Sequence, residues 1–290
     1  MIVVRLKGGL GNQMFQYALG RALERRRGDE LRLDLTYLLG NAVFQWDVPR
    51  HYDLDVFQIQ PAFAYIPRLL RRASRSLGEA EAVPKGQTFV VEREFGFHPE
   101  ILDLTAPNLY LDGYWQSESY FAAIAGEIRE AFQFRMPLSS LGCETAQRMA
   151  SVNSVCVDIR RRDYVAVESA RNTQGFVGED YYRHGVEWIK ANVPDPQLFI
   201  TSDDMPWCRE HLKFDLPTTW LDQDLAGWKF SEKLQLMTMC KHFLISNSTF
   251  AWWAAWLGSH EGKLVAAPRR WFRKESISSK DLVPGSWMTL

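Results

Sequence analysis

The stretch Ser154–Tyr164, SVCVDIRRRDY, contains the change of character that decides the fold. Its first half is mostly apolar and rich in β-branched residues, which is typical of a buried parallel strand. Its second half changes at once to the charged run Arg160–Asp163. Ligands bind at the carboxyl ends of strands in open α/β sheets, and arginine donates paired hydrogen bonds to oxygen anions. The stretch therefore predicts a phosphate or diphosphate site at a strand tip, with an ordinary solvated basic loop as the alternative.

Composition excludes several classes of protein. The 290 residues include 34 Lys+Arg and 35 Asp+Glu, which argues against a general nucleic-acid binder because such affinity comes from neutralising phosphates. The four cysteines form no C-x-x-C pair, so we expect reduced core thiols rather than a zinc site or a disulfide framework. The chain opens on an apolar strand pattern and has no apolar run of about 18 residues. We therefore expect a cytoplasmic protein.

The first half begins with a strand at 2–6, a glycine-rich turn and a helix predicted over 13–27. The turn is neither the dinucleotide fingerprint, since Met14 stands where the third glycine belongs, nor a P-loop. Gly9 and Gly11 would let the backbone approach a ligand closely, although a plain strand–turn–helix corner fits equally. Further strands are predicted near 31–35, 88–91 and 109–115, and a helix near 118–132.

The second half alternates between strands and helices with short connections. Strands are predicted near 154–159, 197–201, 218–221, 242–246 and 263–267, and helices near 141–150, 179–192, 204–213, 229–240 and 248–257. Such alternation predicts a parallel, doubly wound sheet. The fold class is therefore α/β, with two Rossmann-like domains, 1–145 and 146–290, facing each other across a cleft.

Two further strand tips carry polar residues that belong at the same sheet edge as the arginines. One tip is Ser202-Asp203-Asp204, whose carboxylates would suit a ribose or the N–H edge of a base. The other is Asn247-Ser248-Thr249-Phe250, where a helix start offers backbone N–H groups to a phosphate. Ordinary helix capping would explain either tip alone. The tryptophans at 252, 253 and 256 fit a core better than a platform for sugars.

A helix predicted over 66–77 places Arg68, Arg71, Arg72 and Arg75 on one face. A solvated helix face explains most such runs. Contact with an anionic membrane surface or a lipid-linked acceptor is the functional alternative.

Seven sequence blocks in chain order carry a resemblance to a known family. They are Gly8–Ala18 (GGLGNQMFQYA), Arg50–Phe57 (RHYDLDVF), Leu111–Ser117 (LDGYWQS), Arg160–Asp163 (RRRD), Phe199–Asp204 (FITSDD), Cys240–His242 with Ile245–Trp253 (CKH and ISNSTFAWW), and Pro268–Phe272 (PRRWF). Together they resemble glycosyltransferase family 11, the α-1,2-fucosyltransferases, in its compact bacterial form. The one departure is Asp158, which stands where the family's H-x-R-R-x-D motif begins with histidine.

The resemblance implies a GT-B-like fold that binds GDP-fucose in its C-terminal domain and a galactose-terminated acceptor in its N-terminal domain. It implies an inverting galactoside α-1,2-fucosyltransferase that requires no metal or other cofactor, and a role in surface polysaccharide synthesis at the inner membrane face. Arg160 and Arg161 would hold the diphosphate, while Asp158 would accept hydrogen bonds from guanine.

The catalytic base stays open among three carboxylates, Asp112, Glu118 and Asp163, and Asn12 would position donor or acceptor. Two other functions also stay open. One is transfer from a different nucleotide sugar, which is suggested by Asp158 in place of histidine. The other is glycan binding without catalysis, which is suggested by the aromatic residues.

Overall fold

The computed structural model describes residues 1–40, 50–64 and 86–290. The chain forms two units: unit 1 contains Met1–Gln133 with Lys280–Leu282, and unit 2 contains Phe134–Ser279 with Val283–Leu290. The predicted division after residue 145 is therefore too late. It falls inside the helix Ser140–Ser151, which belongs to unit 2. The predicted arginine-rich helix at 66–77 lies outside the described residues.

Unit 1 is built on a parallel sheet in which the described strands follow the order β3-β2-β1-β5-β4. Its described strands are β1 (Ile2–Arg5), β2 (Leu31–Asp34), β3 (Ala62–Phe63), β4 (Thr88–Val91) and β5 (Leu109–Asp112), and its described helices are α1 (Leu10–Arg27), α2 (Thr36–Gly40) and α3 (Ala125–Ala131). The helix predicted over 118–132 is α-helical only in α3, because its first part forms two separate 3₁₀ turns.

Unit 2 contains a second parallel sheet, with the strand order β11-β10-β9-β6-β7-β8 among the described residues. Its strands are β6 (Asn153–Ile159), β7 (Pro196–Ser202), β8 (Thr218–Trp220), β9 (His242–Leu244), β10 (Val265–Ala267) and β11 (Met288–Thr289). Its helices are α4 (Ser140–Ser151), α5 (Arg162–Ala166), α6 (Glu168–Thr173), α7 (Glu179–Asn192), α8 (Met205–His211), α9 (Ser231–Met239) and α10 (Thr249–Leu257). The predicted alternation is confirmed, with most strand ends shifted by a residue or two.

The core of unit 2 shows which way the side chains of β6 point. Val155, Val157 and Ile159 pack in one cluster with Tyr182 and Ile189 of α7. Because successive side chains on a strand point to opposite faces, Cys156 and Asp158 point away from that cluster. Helix α10 is buried through Trp252 and Trp253, which have no exposed surface. These tryptophans are core residues, so they give no support to a glycan-binding platform.

Among the described residues, no helix is both long enough and apolar enough to span a lipid bilayer. Cys156, Cys208 and Cys240 are buried free thiols, as expected, whereas Cys143 is exposed.

Candidate functional site

The three predicted strand tips of unit 2 lie at one edge of its sheet. In the parallel register, Ile159 pairs with Ser202, and Val157 pairs with Leu244. The arginine run, the Ser-Asp-Asp segment and the hydroxyl-rich helix start therefore follow three adjacent strands. The sequence predicted this arrangement from the rule that parallel strands end at the same edge.

Arg160 lies between two carboxylates. Its Nη2 donates to Asp163, and its Nε is 3.2 Å from Oδ2 of Asp203. Burial lowers the pKa of this guanidinium, but the nearby charges, Asp203 first, outweigh burial and raise it. The guanidinium carbon is also 5.8 Å from the ring centre of Tyr164. Arg160 is thus a permanent, fixed positive charge at the strand tip.

Arg161 is fixed in a different way. Its Nη1 donates to Oδ2 of Asp204 at 2.6 Å, and its guanidinium carbon lies 4.4 Å from the ring centre of Trp207. Trp207 in turn stacks on His211, with ring centres 4.6 Å apart. The Nε of Arg161 is buried and has no hydrogen-bond partner among the described residues. A donor left unpaired in this way fits an anionic ligand that is not part of the chain.

The acidic pair predicted to contact the nucleotide also orders the arginine loop. Oδ1 of Asp203 accepts the backbone N–H groups of Arg161 at 2.9 Å and Arg162 at 3.2 Å, at the start of α5. The hydroxyl of Ser202 accepts the backbone N–H of Asp204 at 2.9 Å. These carboxylates are already engaged by the chain, so their direct structural role is to hold Arg160 and Arg161.

Asp158 is buried at the end of β6, where its Oδ2 accepts the hydroxyl of Ser246. Burial raises the pKa of this carboxyl group to about 6, against the opposing effects of Ser246 and Arg160. Asp158 therefore takes up a proton at a higher pH than an exposed carboxylate does.

Asn247 uses its amide to tie segments together. Its Nδ2 donates to the carbonyl oxygens of Gly175 and Trp271, both at 3.0 Å, and its own carbonyl accepts the Tyr164 hydroxyl at 3.1 Å. Its Oδ1 is buried without a partner among the described residues. Among the described side-chain atoms of Asn247, that oxygen is therefore available for a hydrogen bond with a ligand.

Helix α10 begins beside these groups. Ser248 precedes it with extended backbone and makes no side-chain cap, while Thr249 and Phe250 form its first turn and are half-buried. The first backbone N–H groups of a helix have no intrahelical acceptor. Together with the helix dipole, they attract an anion to this end.

Lys233 was not singled out by the sequence. It lies in the first turn of α9, and only 7% of it is exposed. Burial lowers the pKa of its ammonium group, while Asp158 and Asp203 oppose that effect. A single lysine in an otherwise ordinary helix gives no sequence signal, because its burial follows only from how α9 packs.

The glycine-rich turn of unit 1 contains one position that requires glycine. Gly8 has φ +78°, and a Cβ there would lie 2.3 Å from Nδ2 of Asn12. Gly9 precedes α1 near Arg50, and Gly11 is buried in the first turn of the helix. The sequence favoured Gly9 and Gly11, yet Gly8 carries the conformational demand.

Two glutamines join the separate sequence blocks of unit 1. Nε2 of Gln13 donates to the carbonyl of His51 at 2.7 Å, and its Oε1 accepts the N–H of Asp53 at 2.9 Å. Gln16 donates to the carbonyl of Gly113 at 3.0 Å. Asn12 Oδ1 also accepts from Gln116 at 2.9 Å. These contacts join three of the quoted blocks, and Asn12 links the first of them to the block Leu111–Ser117.

Asp112 is enclosed by two cations. Its carboxylate is 2.7 Å from Nη1 of Arg5 and 2.8 Å from Nζ of Lys7. Burial favours the neutral acid, but Lys7 and Arg5 outweigh it and hold the pKa of Asp112 below its usual range. A carboxylate held in this way is a weak proton acceptor. Glu118, another predicted base, is half-buried in a 3₁₀ turn.

Within residues 1–40, 50–64 and 86–290, no group of three or more His, Cys, Asp or Glu side chains is arranged to hold a metal ion. At the sheet edge of unit 2, the positive groups Arg160 and Arg161 follow β6, and the start of α10 follows β9.

Comparisons with known proteins agree on one family of glycosyltransferases. The family model described as glycosyl transferase family 11 matches residues 99–289. An Escherichia coli alpha-1,2-colitosyltransferase is 29% identical, covering 100% of this chain and 99% of its own. The Escherichia coli O-antigen biosynthesis glycosyltransferase WbnK is also 29% identical, with coverage of 98% and 99%.

A galactoside alpha-(1,2)-fucosyltransferase 1 from Leontocebus fuscicollis is 31% identical over 58% of this chain and 48% of its own. Among solved structures, Arabidopsis thaliana FUT1, a mutant in complex with GDP, matches 97% of this chain and 76% of its own with a TM-score of 0.54. At 11% identity that match shows a shared fold. The expected two-domain α/β architecture of GT-B type is confirmed.

Proposed function

The chain belongs to glycosyltransferase family 11, and from that premise we propose that it is an inverting α-1,2-glycosyltransferase acting on a galactoside. The proposed donor is GDP-L-fucose, and the sugar is transferred to the 2-hydroxyl of the acceptor. A second donor, GDP-colitose, is favoured by one observation: a relative that matches the whole chain is named for colitose transfer.

The observation that carries the proposal is the convergence of positive groups at one sheet edge. Arg160 and Arg161 follow β6, and the start of α10 follows β9 at the adjacent strand tip. During transfer the nucleoside diphosphate leaves as an anion while positive charge develops on the sugar. Fixed guanidinium groups and helix amides stabilise that departing charge without rearranging. In this proposal they take the part that a metal ion plays in other transferases, and no metal is required.

The acceptor hydroxyl must also lose its proton. Glu118 is the proposed base and Asp163 the alternative, because the two cations beside Asp112 leave that carboxylate a poor acceptor and Asp163 is itself paired with Arg160. Asp163 contacts Arg160, so it would link the state of the diphosphate site to proton transfer. Asn12 is proposed to position a substrate hydroxyl.

The proposed partner is a galactose-terminated glycan carried on a lipid, in synthesis of a bacterial surface polysaccharide. Support comes from the relative named for O-antigen biosynthesis. The proposed location is the cytoplasm, at the inner face of the membrane.

The test is calorimetric binding of GDP, UDP and dTDP in chelator-treated buffer, followed by transfer assays with GDP-fucose and GDP-colitose. We expect selective GDP binding, and Arg160→Ala should weaken it at least a hundredfold while the protein stays folded. Arg162→Ala is the matched control, because that side chain is exposed and only its backbone contacts Asp203. Full GDP affinity in folded Arg160→Ala would refute the diphosphate assignment.

A further inference from the structure

Lys233 has an environment that its own helix does not explain. Only 7% of the residue is exposed, and no hydrogen bond or ion pair joins its ammonium group to any described residue. The ring centre of Phe230 is 5.8 Å from its Nζ. Buried ammonium groups in proteins are ordinarily paired.

Two local effects oppose a cation at this place. Burial removes water from the ammonium group, which costs free energy unless a partner replaces the water. Lys233 also lies in the first turn of α9, where the positive end of the helix dipole repels a cation. Departures from local rules of this kind are expected at functional sites.

The backbone that carries Lys233 is firmly held. Neighbouring Glu232 accepts the backbone N–H of Ser139 at 2.9 Å and its hydroxyl at 2.5 Å, which fixes the start of α9 to that of α4. The preceding turn contains Gly227 at φ +66°, and a Cβ there would lie 2.5 Å from Cβ of Glu232. The position of Lys233 is thus set by the fold.

The helices around Lys233 show where it lies. Helix α4 ends just before β6 and packs back along that strand, so the start of α4, and the start of α9 that is fixed to it, lie near the carboxyl end of β6. In agreement, burial lowers the pKa of Lys233, and Asp158, Asp203 and Asp222 oppose that effect. Asp158 points to the face of β6 opposite the α7 cluster, and Ser246 at the β9 tip binds its Oδ2. Its second oxygen, Oδ1, accepts no hydrogen bond from the described part of the chain. An acceptor and a donor that lack a partner among the described residues therefore lie on the same side of this sheet edge, where a ligand could reach both.

We infer that Lys233 and Asp158 together bind the base of the nucleotide donor, the ammonium group donating to a ring carbonyl and the carboxylate accepting from the adjacent ring N–H. For the GDP of the proposed function, on which this inference rests, these atoms are guanine O6 and N1–H. A phosphate fits this corner poorly, because the carboxylate of Asp158 would repel it. The phosphates have Arg160, Arg161 and the start of α10.

The experiment compares GDP, IDP, ADP and pyrophosphate by calorimetry at pH 7.5 in chelator-treated buffer. Hypoxanthine has the same O6 and N1–H as guanine, whereas adenine carries an amino group and a bare nitrogen at these positions. Wild-type protein should therefore bind IDP at least tenfold more tightly than ADP, since each matched base contact is worth about 1–3 kcal/mol. Equal affinities for IDP and ADP would overturn the inference without requiring any variant to fold.

Variants of Lys233 then test whether this residue causes the preference for IDP over ADP. Lys233→Met should reduce GDP and IDP affinity at least tenfold, leave pyrophosphate affinity unchanged and shrink the ratio between IDP and ADP. Lys233→Arg should restore part of that ratio, because it keeps a donor. Lys190→Met on α7 is the control, since that lysine is exposed and pairs with Glu187. An equal loss of GDP and pyrophosphate in Lys233→Met would show a phosphate or folding role and refute base binding.

The same variant tests Lys233 even if the donor is not a GDP-sugar. If wild-type protein prefers UDP to GDP, the donor assignment is wrong, but uracil also carries a carbonyl beside a ring N–H. Lys233→Met should then reduce the preference for UDP over CDP, because cytosine lacks that N–H. No change in the UDP/CDP ratio would refute the role of Lys233 as well.

Discussion

For Asp203, the sequence allowed two roles, a contact with the nucleotide or helix capping, and the structure shows a contact with the arginine loop. Its position at a strand tip predicted a contact with the nucleotide. In the structure its Oδ1 accepts two backbone N–H groups of the arginine loop, and its Oδ2 lies 3.2 Å from Arg160. It therefore acts on the diphosphate site through Arg160 and the loop.

Asp203→Ala should weaken GDP and pyrophosphate binding by the same factor, of about tenfold or more. The physical reason is that Arg160 and the start of α5 lose their common partner, whichever ligand carries the phosphates. Calorimetry with both ligands measures this. If Asp203 instead held the ribose, only GDP affinity would fall and pyrophosphate would bind as tightly as before.

Asp158 should make the protein less stable at neutral pH than at mildly acidic pH. Its pKa in the folded state is about 6, above the unfolded value of about 3.9, because burial disfavours the charged form. The folded protein therefore binds the proton more tightly. This contribution to stability is complete below about pH 4 and is lost as the pH rises through about 6.

Asp158→Asn cannot ionise, so its free energy of unfolding relative to wild type should rise by about 2–3 kcal/mol between pH 4 and pH 8. Urea unfolding of both proteins across that range is the measurement. The difference between the two curves removes the titration of all other groups. A constant difference would mean that Asp158 titrates at its ordinary pKa. Separately, Asp158→Asn should lose GDP affinity.

At the scale of single elements, the strand–turn–helix unit at the N-terminus depends on Gly8. Its left-handed backbone costs a residue with a Cβ about 1–2 kcal/mol, and the Cβ would also collide with Asn12. Gly28 ends α1 at φ +70° with nothing within 4 Å of a Cβ. Replacing Gly28 therefore introduces backbone strain alone, whereas replacing Gly8 introduces backbone strain and a steric collision.

Gly8→Ala should destabilise the protein by about 2–4 kcal/mol and raise the KM for the acceptor, because displacing Asn12 breaks its hydrogen bond to Gln116. Gly28→Ala should cost only about 1 kcal/mol and leave the KM unchanged. Chemical unfolding and acceptor titration of both variants provide the test. Equal losses of stability would show that the contact with Asn12 is unimportant.

The elements were predictable where one pattern dominates. Strand β6 was clear because an apolar run stops at Arg160, and α10 because its apolar residues follow a polar tip. The short helices α5 and α6 were missed, since the charges of residues 162–173 resemble those of a loop. The start of α5 is held by Asp203, which accepts the backbone N–H groups of Arg161 and Arg162, a contact between segments distant in sequence.

For the whole molecule, the alternation of elements predicted two parallel sheets, and the structure has them. Which strand tips would meet also followed from topology, because parallel strands share an edge. The partners of each side chain did not follow. Asp112 was predicted as a base but is held by Arg5 and Lys7, and Lys233 gave no signal, because both depend on how elements pack across long distances in sequence.

GDP should stabilise the whole protein without any metal ion. A ligand present at a hundred times its Kd raises the free energy of unfolding by about 2.7 kcal/mol, provided that only the folded protein binds it. Because the proposed diphosphate site consists of Arg160, Arg161 and the start of α10, chelator treatment should change neither that stabilisation nor the rate of transfer by more than about twofold. Thermal unfolding with and without EDTA, at matched GDP, measures the first, and a transfer assay measures the second. If EDTA abolished both and Mg²⁺ or Mn²⁺ restored them, a metal would be needed to hold the phosphates, and the arginines would no longer suffice as the electrostatic basis of catalysis.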